Sequence, residues 1–264
     1  MKVAGYVTRK TLLYKTGVEY GDYTMNHMQG CAHGCRYPCY AYLMARRFGK
    51  VKTLAGWRKP YLVRNTLQLL KEELPRLKHK IKSVHLCFTT DPFMYGFAAI
   101  ARMSVAAIAQ INKEGLPCSV LTKGVLPKSL ARLSKENAYG ITLITLDEGF
   151  RKVVEPGAAP ISRRIAALRA LSDAGCRTWV SIEPYPTPNV KEQDLVRILE
   201  EISFVDKIIF GRAHYNRKIS AYKNCKKFYN EQAKVVIDFC NTHGIVYHIK
   251  KGTVTSSLSR GCAR

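Results

Sequence analysis

Hydrophobic positions along the chain fall into two alternating kinds of segment. Short apolar runs occupy Ser83–Thr90, Cys118–Thr122, Ile141–Leu146, Thr178–Ile182, Lys207–Phe210 and Ile245–Ile249, with a shorter run at Thr24–Met28 ahead of them. Between them apolar residues recur at helical spacing. These stretches cover Tyr40 to Phe48, Asn65–Lys80, Ala98–Asn112, Lys128–Ser134, Ile161–Ala174, Glu192–Ile202 and Lys226–Thr242. Gly49, Gly175 and Gly244 follow three of them as helix stops. Short buried strands alternating with helices predict a parallel sheet with right-handed crossovers. Six or seven such units, short of eight, predict the α/β class and a partial (β/α)6-7 TIM-like barrel, with its ligand at the carboxyl ends of the strands. Residues 1–23 place Tyr6, Tyr14, Tyr20 and Tyr23 among basic residues. They read as an N-terminal extension, hairpin-like around Gly17 and Gly21, and leave 24–264 as one partial-barrel domain.

Composition narrows the class. The chain of 264 residues is 47% hydrophobic, enough for a substantial core and too much for disorder. No apolar run approaches the roughly 20 residues of a membrane span. The opening Met-Lys-Val-Ala-Gly-Tyr lacks the apolar segment of an export signal. The expectation is a cytoplasmic protein with reduced thiols and no membrane partner.

Charge changes the picture more. The net charge is +24, and its placement is uneven: 16 basic against 4 acidic residues over 1–80, 15 against 13 over 81–206, and 12 against 2 over 207–264. Basic ends around a near-neutral body point to a polyanion, because each neutralised phosphate releases counterions. The expected partner is nucleic acid, DNA or RNA; a generally basic proteome or a solubility effect is the competing explanation. In an open barrel the first and last segments lie at opposite edges, so both basic ends would border one lateral opening.

Candidate chemistry concentrates in Cys31-Ala-His-Gly-Cys35-Arg-Tyr-Pro-Cys39-Tyr40, a Gly-, Pro- and Tyr-punctuated loop. Three thiolates this close can hold three irons of a [4Fe–4S] cube and leave the fourth iron open to another ligand. A zinc knuckle is the alternative, with His27 and His33 available to complete a four-ligand set, although zinc usually takes close pairs and a distant second pair. A disulfide fits less well, because the 9 cysteines are odd in number and no export signal precedes them. Cys118 and Cys176 fall at strand starts and read as core. Cys225, Cys240 and Cys262 lack the close pairs of a second cluster.

The segment from Gly30 to Ala41 resembles the cluster loop of radical S-adenosylmethionine (SAM) enzymes, in the branch around spore photoproduct lyase. Pro38 reads as an insertion relative to the family spacing, after the aromatic Tyr37. The resemblance continues through four further elements in order: Thr89-Thr90-Asp91-Pro92-Phe93, Thr122-Lys123, the run Thr142 to Glu148 with Glu155-Pro156 and Arg163-Arg164, and Ile182-Glu183-Pro184. It covers about Asn26 to Tyr215. It implies that Cys31, Cys35 and Cys39 hold a [4Fe–4S] cluster whose open iron chelates SAM, and that reductive cleavage of SAM gives a 5′-deoxyadenosyl radical. It further implies SAM contacts at Thr90 and Asp91, at Lys123 toward the carboxylate, at Thr142 or Thr145, and at Tyr37 or Pro38 toward the adenine. Glu155 would order the loop or contact the ribose, Arg164 opens the next helix, and Glu183 replaces a small or apolar residue beside the adenosine. A one-electron reductant such as flavodoxin or ferredoxin is implied as a partner.

The same resemblance bears on substrate. In spore photoproduct lyases a cysteine two positions before the Thr/Ser of Ser-Asp returns a hydrogen atom, and the matching position here is Phe88. Cys87 is its neighbour, and strand alternation would turn it away from the cavity. Tyr37 and Tyr40, or Cys87 itself, are the candidate hydrogen-atom carriers. His214 and Asn216 follow the sixth strand and either face substrate or cap a helix. The implied function is base repair or modification on nucleic acid, lyase-like. The alternatives are radical modification of a peptide or small metabolite, and a non-catalytic metal-stapled nucleic-acid-binding module.

Overall fold

The computed structural model describes residues 1–255. Strands and helices follow in the order β1 (Gly5–Val7), β2 (Leu13–Lys15), β3 (Tyr23–Met25), β4 (Met28–Gln29), α1 (Tyr40–Arg47), α2 (Leu54–Trp57), β5 (Tyr61–Val63), α3 (Thr66–Leu77), β6 (Val84–Leu86), α4 (Ala98–Lys113), β7 (Cys118–Thr122), β8 (Ala138–Thr142), α5 (Glu148–Val154), α6 (Ile161–Asp173), β9 (Arg177–Tyr185), α7 (Leu195–Glu201), β10 (Lys207–Arg212), α8 (Arg217–Ser220), α9 (Cys225–His243) and β11 (Val246–Ile249). The main sheet has 8 strands in the order β11-β10-β9-β8-β7-β6-β3-β2. Every neighbouring pair in it is parallel except β2 with β3. The strands follow chain order with helices between them, as in a partial TIM-like barrel, and no ladder closes β11 onto β2 among the described residues.

Burial follows the sequence pattern. Val84, Leu86, Val120, Ile141, Val180, Ile182, Ile208 and Phe210 carry the strand side of the core, and Leu70, Leu74, Ile108, Leu168 and Val236 carry the helix side. Gly244, left-handed at φ 67°, ends α9. The side chains of Asp147 and Asp194 cap α5 and α7 by accepting backbone N–H bonds.

Four elements differ from expectation. Lys128–Arg132 is a 3-10 turn rather than an α-helix. β8 ends at Thr142, although apolar residues continue to Leu146. β6 ends at Leu86, and Cys87 turns at φ 66°. A second sheet, β1-β5-β4, had no counterpart in the pattern because its strands have only 2 or 3 residues.

Residues 1–23 are woven into both sheets. β2 and β3 form the expected hairpin, and β1 joins β5. The hairpin loop reaches the far edge of the main sheet: the Glu19 carboxylate accepts from Lys251 N at 3.0 Å, and the Tyr20 and His248 rings lie 6.0 Å apart. This loop leaves the amino end of β3, where Asp22 accepts from Lys82 N, and crosses the lateral opening to the last strand, which puts Tyr20 on the cavity wall.

Candidate active site

The carboxyl ends of the strands open into one cavity of about 440 Å³, within the usual range for a ligand site. Cys31, Cys35 and Cys39 are free thiols along one side of it. Their loop is anchored from beneath. The Tyr37 hydroxyl donates to Glu155 Oε1 at 2.8 Å, Arg164 Nη2 donates to Glu155 Oε2 at 3.0 Å, and Lys123 Nζ lies 3.7 Å from Glu155. Gly157 is required here, since a Cβ would come within 2.3 Å of the Ala32 carbonyl oxygen.

Electrostatics in this anchor are tightly balanced. Burial alone would raise the Glu155 carboxyl, but Lys123 and Arg164 hold it below the usual carboxylate value. Burial works against charge on Lys123, yet Glu155 beside it leaves the ammonium raised above its ordinary value. Burial pushes the Cys31 and Cys35 thiols up, Cys35 to about 12. A coordinating metal reverses that, because a ligating thiol is deprotonated.

His33 and Asp91 organise the same wall. Tyr95 N donates to His33 Nε2 at 3.1 Å, so the proton sits on Nδ1, 3.3 Å from Asp91 Oδ2. Asp91 also accepts from Thr122 Oγ1 at 2.6 Å, Lys123 N at 2.8 Å and Phe93 N at 2.9 Å. Its carboxylate is thus occupied by the scaffold. Thr90 differs: its Oγ1 is buried on the cavity wall with no nitrogen or oxygen partner among the described residues and only the Cys87 thiol beside it. A buried orphan hydroxyl costs free energy until a ligand satisfies it.

Cys87 lines the cavity, contrary to the alternation argument. That argument assumed a strand running to Thr90, whereas the left-handed turn at Cys87 breaks the pleat. Hydrogen-bond accounting fixes its state. The Ser104 hydroxyl donates to Pro92 O at 2.5 Å, so it accepts from His27 Nε2–H at 2.8 Å. His27 Nδ1 is then an acceptor, and Cys87 presents S–H to it at 3.3 Å. Burial lowers His27 to about 3 and raises the Cys87 thiol to about 12, so both are neutral.

The family model for the radical SAM superfamily matches residues 25–202, well over half of the chain. The chain belongs to the radical SAM superfamily. Membership brings the superfamily's cofactors, a [4Fe–4S] cluster and SAM. The residues present fit them: three free thiols lining one cavity, the buried Thr90 hydroxyl on its wall and a partly buried cation at Lys123. The zinc alternative loses its histidines, since both ring nitrogens of His27 and of His33 are engaged elsewhere.

Two curated relatives are themselves uncharacterized. ORF301 of Acidianus two-tailed virus is 27% identical over 70% of this chain and 64% of its own length. MJ0683 of Methanocaldococcus jannaschii is 24% identical over 67% of this chain and 66% of its own length. The chain thus spans about two thirds of the relatives it matches. Among solved structures, a spore photoproduct lyase mutant with dinucleoside spore photoproduct superposes with TM-score 0.68 at 13% identity, over 94% of this chain and 81% of that one. At that identity the likeness shows the fold.

Within this radical SAM chain, the cavity brings together the three cysteines, Tyr37, Tyr40, Cys87, Thr90, Asp91, Lys123, Thr142 and Glu183. It does not include Thr145, Glu155 or Arg164. Thr145 lies beyond the end of β8, where its Oγ1 accepts from Asp147 N at 3.1 Å. Glu155 and Arg164 are fully buried behind the loop, and Arg164 also donates to the Thr142 carbonyl at 2.8 Å. His214 reaches the cavity, whereas Asn216 caps α8 by accepting from Lys218 N at 3.0 Å. Cys118 and Cys240 are core, and Cys262 lies outside the described residues.

Sequence reasoning missed the far side of the cavity. Phe88 stacks on His85 at 3.8 Å, with Tyr20 edge-on to Phe88 at 5.8 Å. Arg212, at the end of β10, also lines the cavity; its guanidinium lies 5.7 Å from the Tyr229 ring centre, its buried Nε is unpartnered, and no carboxylate is within ion-pair distance among the described residues. The available signal was position alone, a charged residue at the carboxyl end of the sixth strand.

Proposed function

We propose that this radical SAM protein is an enzyme that repairs or modifies a base of DNA or RNA. In this reading Cys31, Cys35 and Cys39 hold the cluster, while Thr90, Lys123, Thr142 and Tyr37 seat SAM. Cluster and SAM together supply one-electron cleavage of a sulfur–carbon bond and a 5′-deoxyadenosyl radical able to abstract hydrogen. The protein's own part is to orient SAM, exclude water and keep reactive hydrogens at fixed atoms. The neutral Cys87 S–H, held toward His27, is the hydrogen-atom donor of this proposal, with Tyr37 and Tyr40 lining the same cavity.

The observation that carries the reading is the lining of one cavity, which combines the three thiols with the rings of Tyr20, His85 and Phe88 and with Arg212, whose guanidinium lies over Tyr229 and has no carboxylate within ion-pair distance among the described residues. A nucleobase stacks on such rings, and a phosphate satisfies a guanidinium left without a counter-charge. The basic excess at both ends of the chain supports the same substrate class.

The test is anaerobic reconstitution with iron and sulfide, followed by SAM and dithionite. 5′-Deoxyadenosine is expected from the wild type and not from a Cys31/Cys35/Cys39→Ala triple variant. Oligonucleotides added next should exchange deuterium with labelled SAM, and Arg212→Ala should weaken their binding roughly tenfold. Product without any oligonucleotide dependence would favour a peptide or metabolite substrate. No product, with zinc retained, would leave a metal-stapled binding module.

A further inference from the structure

Helix α1 presents its large apolar residues outward. Its buried face consists of Ala41 and Ala45, packed against Trp57. Tyr40, Met44 and Phe48, spaced by one helical turn, are 45%, 46% and 64% exposed. Ordinary surface helices do the opposite and turn such side chains inward. Exposed single apolar residues are common, but Met44 and Phe48 one turn apart, continued by the half-exposed ring of Tyr40 whose hydroxyl bonds Phe88 O, mark a contact surface.

The stripe begins at the candidate cluster site. Cys39 is the residue that caps α1, and Tyr40 both starts the stripe and lines the cavity. Its rim is basic: Arg46, Arg47, Lys50 and Lys52 are exposed, and none is paired with a carboxylate among the described residues. From Tyr23 to Lys71 the chain holds 9 Lys or Arg and no Asp or Glu. That acid-free stretch includes the cysteine loop and α1.

We infer that the outer face of α1 is the docking site for an acidic one-electron donor protein. The inference rests on the proposed role of Cys31, Cys35 and Cys39, which requires that a site in a protein cavity receive single electrons from outside. One electron leaves the donor, oxidising it by one, and one enters the group the cysteines hold. Met, aromatic and Arg side chains are the residues enriched in protein–protein interfaces, and the Arg and Lys rim complements an acidic partner. A nucleic-acid backbone would use the same cations but leaves Met44 and Phe48 without a role. An acidic carrier uses both.

The experiment measures binding as well as turnover. An acidic flavodoxin is titrated onto the reconstituted holoenzyme by calorimetry, for the wild type, Met44→Ser/Phe48→Ser and Arg46→Glu/Arg47→Glu. The wild type should bind, more weakly as salt rises. Each double variant should lose roughly tenfold or more in affinity. 5′-Deoxyadenosine formation driven by dithionite should be unchanged in both, which also shows that they fold. Equal flavodoxin affinity in all three proteins would overturn the inference. So would variants that keep flavodoxin but lose a single-stranded DNA 12-mer, since the face would then belong to nucleic acid. Dithionite reaches the site without docking. A wild type silent with dithionite therefore refutes the enzyme reading, whereas one active with dithionite and indifferent to flavodoxin refutes the docking surface.

Discussion

Glu155 shows how a single buried charge can position a loop it never enters. Its carboxylate meets Tyr37, Arg164 and Lys123 at 2.8, 3.0 and 3.7 Å, with no solvent exposure. Glu155→Gln leaves the buried Arg164 and the partly buried Lys123 short of a counter-charge, which should cost about 3–5 kcal/mol in urea unfolding. The pH dependence follows from the direction of the shift. Glu155 is held below its ordinary value in the fold, so its contribution is complete above the unfolded carboxylate value of about 4.3. It is lost as pH falls through the lower folded value. The gap between wild type and Glu155→Gln should stay flat from about pH 5 to 7 and narrow on further acidification. A gap that widens in acid would refute this account.

At the scale of elements, the edge strand β2 is held by a side chain rather than by its ladder alone. Glu73 of α3 accepts from Leu12 N at 2.9 Å and from Leu13 N at 2.8 Å. The strand brings Leu12, fully buried, into the core. Glu73→Ala removes the acceptor for two buried donors and should cost about 1–3 kcal/mol. Hydrogen exchange localises the effect: amides of residues 12–16 should exchange faster while β7 to β9 stay protected. Uniform acceleration across the sheet would mean that β2 is part of the global unfolding unit. The turn at Cys87 is the other element-scale feature, because ending β6 early brings that thiol to the cavity wall.

At the scale of the molecule, the charge of +24 and the cavity act together. Oligonucleotide affinity should fall linearly in log–log form with salt, with a slope of roughly −0.7 per phosphate contacted on a single strand. A salt-independent affinity would remove the polyanion reading. The lateral opening is crossed by the hairpin loop from β2 to β3, tied by Glu19 to Lys251 at the far edge of the sheet. Among the described residues no helix is long and apolar enough to cross a membrane.

The alternation of strand and helix determined the partial barrel, because periods of two and of three to four residues report which face each element buries. The cysteine loop and the motifs at strand ends were equally legible, since local spacing carries them. Side-chain direction was not. Thr145 looked like Thr142 until β8 stopped between them, and Cys87 looked inward-facing to the core until the strand broke before it. Tyr20, Phe88 and Arg212 belong to three distant segments that share no sequence pattern, and only packing brings them to one cavity. The small sheet β1-β5-β4 was invisible for a related reason: strands of 2 or 3 residues have no measurable period and are defined by the partners they meet. Sequence thus determined what each segment could bury, and tertiary structure decided which buried and unpaired groups face one another.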